Sequence, residues 1–346
     1  MLVQDNILIR KGLRELERRL PPRWSVVDAS GTAIHDAVAQ IRAPDRRVAS
    51  LLITARARLD PKAVSHLADT SRRTASAEVA LIVAPYLSAS TRARLRDEEV
   101  AYLDLTGNIR IVIAEPGLFI EAQGASEDPN REERPPRSLR GPKAGRIVRA
   151  LVDRKEAPGV RELAALTKID AGYVSRVLRF LDLEALITRV GHGRIQSVDW
   201  PALLRRWAQE APLESRGEMK TYLDPRGPSA LVNRLANSDE KYVVTGSIAA
   251  AAFAPVAPTR LAAIWIRDAD QAATRLGLRF TEAGANVLLV EPNDHDVFAR
   301  AEERNGVWYA SPSQIAVDLL TSPGRGPAEG EELIDWMMKH EEKWRR

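Results

Sequence analysis

DAGYVSRVLRFLDLEAL, Asp170 to Leu186, is the stretch on which the reading of this chain turns. Val174, Val177, Leu178 and Leu181 recur at three- and four-residue intervals, the period of an amphipathic helix with one buried stripe. Asp170 stands where a carboxylate can accept the unpaired amides of a first helical turn, so a helix is predicted to begin there. Two helical patterns precede it: Lys143 to Lys155, carrying Ile147, Val148 and Leu151, and Val160 to Ile169, with Pro158-Gly159 as the break between them. Two short β-prone runs follow, Leu186 to Val190 and Arg194 to Val198, around the turn Gly191-His192-Gly193. Three helices and then a hairpin is the order of a winged helix-turn-helix, a module that points to DNA.

The third helix presents Tyr173, Arg176 and Arg179 opposite its apolar stripe, with Ser175 beside them. Such a helix offers its N-terminal residues to base edges in the major groove. Arginine is the usual bidentate partner of guanine there, worth roughly 1–3 kcal/mol of discrimination per good pair. The same stripe also suits a solvated helix face, and the hairpin is what tilts the reading. Its tip sets His192 between glycines, flanked by Arg189 and Arg194, which suits phosphate or minor-groove contact. Arg140, Lys143 and Arg146 are expected to neutralise phosphates and set register, and Lys168 completes the predicted DNA-contacting set. Between Arg137 and Arg206 there are 15 Lys/Arg against 7 Asp/Glu, whereas the rest of the chain has 36 against 40. The net +4 of the whole chain is therefore a basic middle between weakly acidic flanks. GC-rich codon usage would explain Arg over Lys, but not this concentration.

A length of 346 residues suits two or three domains, each with its own core. No apolar run approaches a membrane span, and MLVQDNILIRKGLRELERRL reads as an amphipathic helix, not a signal segment. The chain has no cysteine, which excludes disulfides, thiolate zinc sites and a cysteine nucleophile. A cytoplasmic protein, nucleoid-associated when bound to DNA, is expected, with no cofactor and no metal. The polar stretch Ala125 to Pro142 reads as a linker and Ala211 to Lys220 as a weaker break. These give three predicted domains, 1–128, 138–210 and 218–346. No heptad seam is present to fix an oligomeric state.

The first domain alternates strand and helix: Trp24 to Ala29, Ala37 to Ala43 and Val48 to Ala57 as strands, then a helix from Pro61 to about Arg72. Val79 to Leu87 is a strand, Ser90 to Glu99 a helix with a capping serine, and Ala101 to Ile113 and LFIEAQG the last strands, with a Gly107-Asn108 turn. This order resembles the restriction-endonuclease-like fold, whose chemistry needs two carboxylates and a lysine around Mg²⁺. Asp36 suits the first carboxylate, but the strand that should supply Glu-x-Lys reads Ile53-Thr54-Ala55-Arg56. The domain is therefore expected to be inactive, with Asp104 and Asn108 explained by turn formation. The third domain is again α/β, from YVVTGSIAAAAFAP through LAAIWIRD, ANVLLVEP and VWYASP to two closing helices. Gly246-Ser247 resembles the turn of the nucleotidyltransferase superfamily, in which Asp-x-Asp follows on a strand to hold metal. Here that strand, Ala262 to Ile266, is wholly apolar, and Asp268 and Asp270 lie beyond it as loop or cap residues. This domain too is expected to be inactive.

Taken together, GYVSRVLRFL, YLDLTGN, TGSIAAAAFAP and SPSQIAVDLLTSPGRGPAEGEEL resemble the AbiEi-type antitoxin family of type IV toxin–antitoxin systems and its winged-helix transcriptional-regulator relatives. The resemblance touches all three domains. It implies a non-enzymatic repressor of promoter DNA with Tyr173, Arg176 and Arg179 at the groove, and a cognate toxin as protein partner. Simpler members begin with the helix-turn-helix, whereas about 130 residues precede it here. The fold class expected is thus multidomain α/β plus winged helix. Its partner is double-stranded DNA and it has no membrane contact. Two alternatives remain: a metal-dependent nuclease built on the first domain, and a protein-interaction antitoxin whose DNA binding is vestigial.

Overall fold

The computed structural model describes residues 3–30, 36–72, 78–126, 128–129, 138–190, 194–254 and 261–346. It is a mixed α/β protein that divides into two compact units, Met1–Pro135 with Leu183–Ala185, and Pro136–Asp182 with Leu186–Arg346.

The first unit opens with helix α1 (Val3–Glu17) and continues through strands β1 (Ser25–Ser30), β2 (Ala37–Arg42) and β3 (Val48–Ala55). Helix α2 (Pro61–Arg72), strand β4 (Glu78–Ala84), helix α3 (Ala89–Asp97) and strands β5 (Ala101–Asp104), β6 (Ile109–Ile113) and β7 (Leu118–Ala122) complete it. The seven strands lie in sequence order, with β3, β4 and β5 parallel and the outer pairs antiparallel. The parallel centre is buried on both faces, as its Val/Ile/Leu runs require. Leu8, Ile9 and Leu16 of α1 share one core with Ile41, Leu51, Ile53 and Val83. Val64 and Leu95, from α2 and α3, share the other with Ile82 and Tyr102. Close approach of α1 to the sheet requires a glycine: a Cβ at Gly12 would lie 2.6 Å from Val83 Cγ1. The cap of α3 is Ser88, whose side chain accepts the Thr91 amide at 3.2 Å, so the helix starts one residue earlier than the sequence suggests.

The second unit begins with helices α4 (Pro142–Val152), α5 (Val160–Thr167) and α6 (Ala171–Leu183), then the antiparallel pair β8 (Ile187–Val190) and β9 (Arg194–Val198). Helices α7 (Trp200–Glu210) and α8 (Leu213–Arg216) lead into β10 (Gly217–Leu223), α9 (Pro228–Leu235), β11 (Tyr242–Thr245), α10 (Gly246–Ala251) and β12 (Ala262–Ile266). Next come α11 (Ala269–Leu276), β13 (Arg279–Phe280), β14 (Val287–Pro292), β15 (Glu302–Arg304) and β16 (Val307–Tyr309), with a 3₁₀ turn at His295–Phe298. Helices α12 (Pro312–Leu320), α13 (Gly326–Lys339) and α14 (Glu341–Trp344) close the chain. The second sheet has the order β13-β10-β14-β12-β11-β16-β15. One continuous core joins the helical segment to this sheet, running from Ile147, Val174 and Leu181 through Trp207 to Trp265, Val290 and Ile315.

Several boundaries differ from the sequence reading for local reasons. Helix α6 stops at Leu183, short of Leu186, and Ala185 takes a left-handed conformation (φ 56°) that ends helical propagation. The segment Ala211 to Lys220, expected as a break, is ordered as α8 and the first half of β10. Strand β10 pairs along its length with β14, from Gly217 opposite Pro292 to Tyr222 opposite Val287. Glu218 and Lys220 interrupt its apolar pattern, which is why it does not read as a strand. No helix among the described residues is long and apolar enough to cross a membrane.

Candidate nucleic-acid interface

Helix α6 is set by its cap and its buried stripe. Asp170 Oδ1 accepts the Tyr173 amide at 3.0 Å, satisfying one orphan donor of the first turn. Val174, Val177, Leu178 and Leu181 are buried, as their spacing requires, and Phe180 joins them. Phe180 is covered on one side by the Arg206 guanidinium, 5.6 Å from its ring centroid. The face left over carries Ser175, Arg176 and Arg179, all exposed, with Tyr173 half-buried. The Arg176 guanidinium lies over the Tyr173 ring, its central carbon 5.8 Å from the centroid.

The other residues of the predicted set lie at three further places. Arg140 and Lys143 are exposed at the start of α4, whose N-cap, Gly141, offers no side-chain acceptor. Lys168 is exposed at the α5 C-cap in a left-handed conformation (φ 55°, ψ 41°), just before α6. Arg189 is half-buried on β8 and Arg194 exposed at the start of β9. His192 lies outside the described residues.

Arg146 is placed otherwise than expected. Its Nε and Nη2 donate to the two carboxylate oxygens of Asp294, which is buried to a tenth of its exposed area. Burial alone would push the Asp294 carboxyl up, but hydrogen bonds from Arg146 and from the Asp296 amide outweigh it and hold it below the usual carboxylate range. The Arg146 Nε and Nη2 are thereby committed to a carboxylate of the same unit. Its neighbour Arg149 is buried, donating to Asp296 at 3.0 Å and to Gln314 at 2.9 Å, with the Trp207 ring 5.3 Å away.

Two sets of cations stand out around these helices. Arg146, Arg149, Arg205, Arg206 and Arg216 each have a carboxylate partner. Among the described residues, Arg140, Lys143, Lys168, Arg176, Arg179 and Arg194 take part in no ion pair. Arg146, Arg149, Arg205 and Arg216 tie their helices to other parts of the unit, whereas the Arg206–Glu210 pair lies within α7. The second set has no carboxylate partner among the described residues.

Sequence reasoning passed over Gly172. A Cβ there would lie 2.9 Å from Asp170 Oδ1, displacing the cap, and 3.6 Å from Arg176 Nη1. A glycine inside a helix costs about 1 kcal/mol relative to alanine, so its presence in the first turn was a signal that the position is constrained.

The carboxylates weighed as catalytic are otherwise engaged. Asp36 accepts the Ala55 amide at 2.8 Å and the Arg56 guanidinium at 3.2 Å. Asp268 caps α11 through the Gln271 amide, and Asp270 pairs with Lys220 at 2.9 Å and accepts the Tyr222 hydroxyl at 3.0 Å. Burial, with the hydrogen bond to Asp270 second, raises the Tyr222 hydroxyl to about 12. Ser247 donates to Glu329. Among the described residues no group of three or more His, Asp or Glu side chains is placed to hold a metal ion. No family model matches the chain, and neither the curated proteins nor the solved structures yield a match.

Proposed function

We propose that this protein is a sequence-specific double-stranded-DNA-binding transcriptional regulator, a repressor of the antitoxin-like kind, and not an enzyme. In this reading α4, α5, α6 and the β8–β9 pair form a winged helix-turn-helix, with α6 in the major groove and the hairpin against the backbone. The observation that carries it is the exposure of these cations: six Lys and Arg side chains around α6, the α4 start and β9 have no acidic partner among the described residues, whereas Arg146, Arg149 and Arg206 are paired. Leaving positive charge unneutralised on a helix face serves an anionic partner. The capped helix, with Gly, Ser, Tyr and Arg on its outer side, supplies the polar contacts that groove reading uses. A cognate toxin protein as second partner rests on the family resemblance alone.

The test is binding of the full chain to a duplex selected from a random pool, titrated against salt. Affinity should fall linearly on a log–log plot as salt rises, because each neutralised phosphate releases counterions. The double change Arg176→Ala, Arg179→Ala should flatten the preference for the selected duplex over random DNA. Undiminished discrimination in that variant would remove α6 from the groove, and absence of any salt-sensitive affinity would remove DNA altogether.

A further inference from the structure

Arg176 and Arg179 are both exposed on α6, yet the structure supports them differently. The Arg176 guanidinium lies against the Tyr173 ring, its central carbon 5.8 Å from the centroid. It also folds back along the helix over Gly172, since a Cβ built there would be 3.6 Å from Nη1. Asp170, at the other side of Gly172, is occupied in capping through the Tyr173 amide at 3.0 Å. The Arg179 side chain makes no hydrogen bond, ion pair or ring contact among the described residues.

A planar fork reads a base edge well only when its orientation is already fixed, because immobilising a long side chain on binding costs affinity. A guanidinium held over an aromatic ring is restricted in its orientation while its N–H groups stay free to donate. Gly172 adds a second condition. With no side chain at the second helical position, the backbone there can come close to the floor of a groove. An unbraced arginine such as Arg179 serves a diffuse negative partner better than a directional one.

On the reading of α6 as the groove-facing helix, we infer that Arg176 is the specificity-determining residue. It donates to the N7 and O6 edge of one guanine, with Tyr173 and Gly172 as positioning residues, and Arg179 supplies charge to the sugar–phosphate backbone.

The experiment replaces each guanine of the selected duplex in turn by 7-deazaguanine, which lacks the N7 acceptor and keeps base pairing. For the wild-type protein one position should lose about ten-fold or more in affinity. In Arg176→Met, which keeps an apolar stem without any donor, that position should lose its penalty. Tyr173→Leu should shrink the penalty to about three-fold and Tyr173→Phe should retain it, with equal thermal midpoints for the two, since the ring and not the hydroxyl braces Arg176. Arg179→Ala should weaken all duplexes alike, lower the salt slope by about one, and leave the penalty intact. Persistence of the penalty in Arg176→Met, or its loss in Arg179→Ala, would overturn the assignment while the DNA-binding reading stands. A wild-type protein with no salt-sensitive affinity for any duplex would overturn both.

Discussion

Arg146 and Asp294, 148 residues apart in the chain, meet through two parallel hydrogen bonds of 2.8 and 2.9 Å. Two neighbouring contacts follow the same course: Arg149 donates to Asp296, and Arg300 reaches back to Asp153, whose other oxygen accepts the Ser313 hydroxyl at 2.6 Å. Helix α4 is thereby fastened along one side to the segment after β14 and to the start of α12. Arg140 and Lys143, one turn or more earlier, have no such partner among the described residues.

The first prediction separates these two kinds of cation. Arg146→Ala should lower stability by about 1–2 kcal/mol, the bidentate pair being partly screened by solvent. It should leave the salt slope of DNA binding unchanged. Lys143→Ala should do the reverse, with an unaltered unfolding midpoint and a slope smaller by about one. Denaturant unfolding and salt-titrated binding decide it; a reduced slope in Arg146→Ala would show that the pair opens to receive phosphate.

Acid sensitivity gives the second. The Asp294 carboxyl is held below its ordinary value of 3.8, so its ionised form stabilises the fold at higher pH, and that contribution is lost as pH falls through 3.8 towards the depressed value. The stability difference between wild type and Asp294→Asn should therefore shrink on acidification. Asp153 carries the opposite sign. Burial pushes its carboxyl above 3.8, outweighing Arg300 and Ser313, so ionisation costs stability as pH rises through the raised value. Asp153→Asn should gain on wild type over that rise. Parallel pH profiles for the three proteins would refute both assignments.

Asp318 is the centre of the second unit's polar core and carries the third. At 1% exposure it accepts from Thr245 Oγ1 at 2.6 Å, from Trp265 Nε1 and Gln314 Nε2 at 2.7 Å each, and from the Arg216 guanidinium. Arg216 is itself nearly buried, with the Trp207 and Trp265 rings 5.6 and 6.0 Å from its guanidinium carbon. Asp318→Ala leaves that charge without a counter-ion and should cost about 3–5 kcal/mol. Thr245→Val removes one neutral donor and should cost about 1 kcal/mol. A loss below about 1 kcal/mol for Asp318→Ala, by urea unfolding, would mean the core relaxes around the gap.

How much of this was legible follows from where each signal resides. Strands β3 and β4 read directly because their continuous Val/Ile/Leu runs suit a sheet centre, and β6 because its apolar residues alternate in burial. The polar face of α6 read equally well, since the burial of Val174 and Leu181 fixes which side Arg176 and Arg179 take. What stayed hidden depends on distant partners or on single backbone angles. Nothing near Arg146 announces Asp294, and nothing in its own side chain marks Ala185 as left-handed. Strand β10 was hidden because Lys220 sits in it, yet Lys220 is held there by Asp270 and Glu291, at 2.9 and 3.3 Å.

In the first unit the segment YLDLTGN provides the fourth prediction. Asp104 is fully buried and accepts five hydrogen bonds, from the amides of Leu87, Thr106 and Asn108, the Thr106 hydroxyl and the Asn108 side chain. Asn108 in turn donates to the Ala125 carbonyl and accepts the Gly124 amide. One carboxylate thus ties the end of β4, the β5–β6 turn and, through Asn108, the chain leaving β7. Asp104→Ala strands several buried donors and should cost about 3 kcal/mol or more, whereas Asp104→Asn, which keeps some acceptor capacity, should cost less. Equal losses would show that the charge and not the hydrogen-bond count holds the turn.

Lys168 permits a test in which stability and binding move in opposite directions. It ends α5 in the left-handed region (φ 55°), a conformation that costs a residue with a Cβ roughly 1 kcal/mol and glycine almost nothing. Lys168→Gly should therefore raise stability by about 0.5–1 kcal/mol, part of the gain being offset by the greater freedom of glycine in the unfolded chain. If Lys168 faces the duplex as proposed, the same change should weaken DNA binding and lower the salt slope by about one. A general loosening of the α5–α6 turn would instead lower both. Raised stability with unaltered binding would remove Lys168 from the interface and leave its backbone role standing, so the two readouts decide two separate claims about one residue.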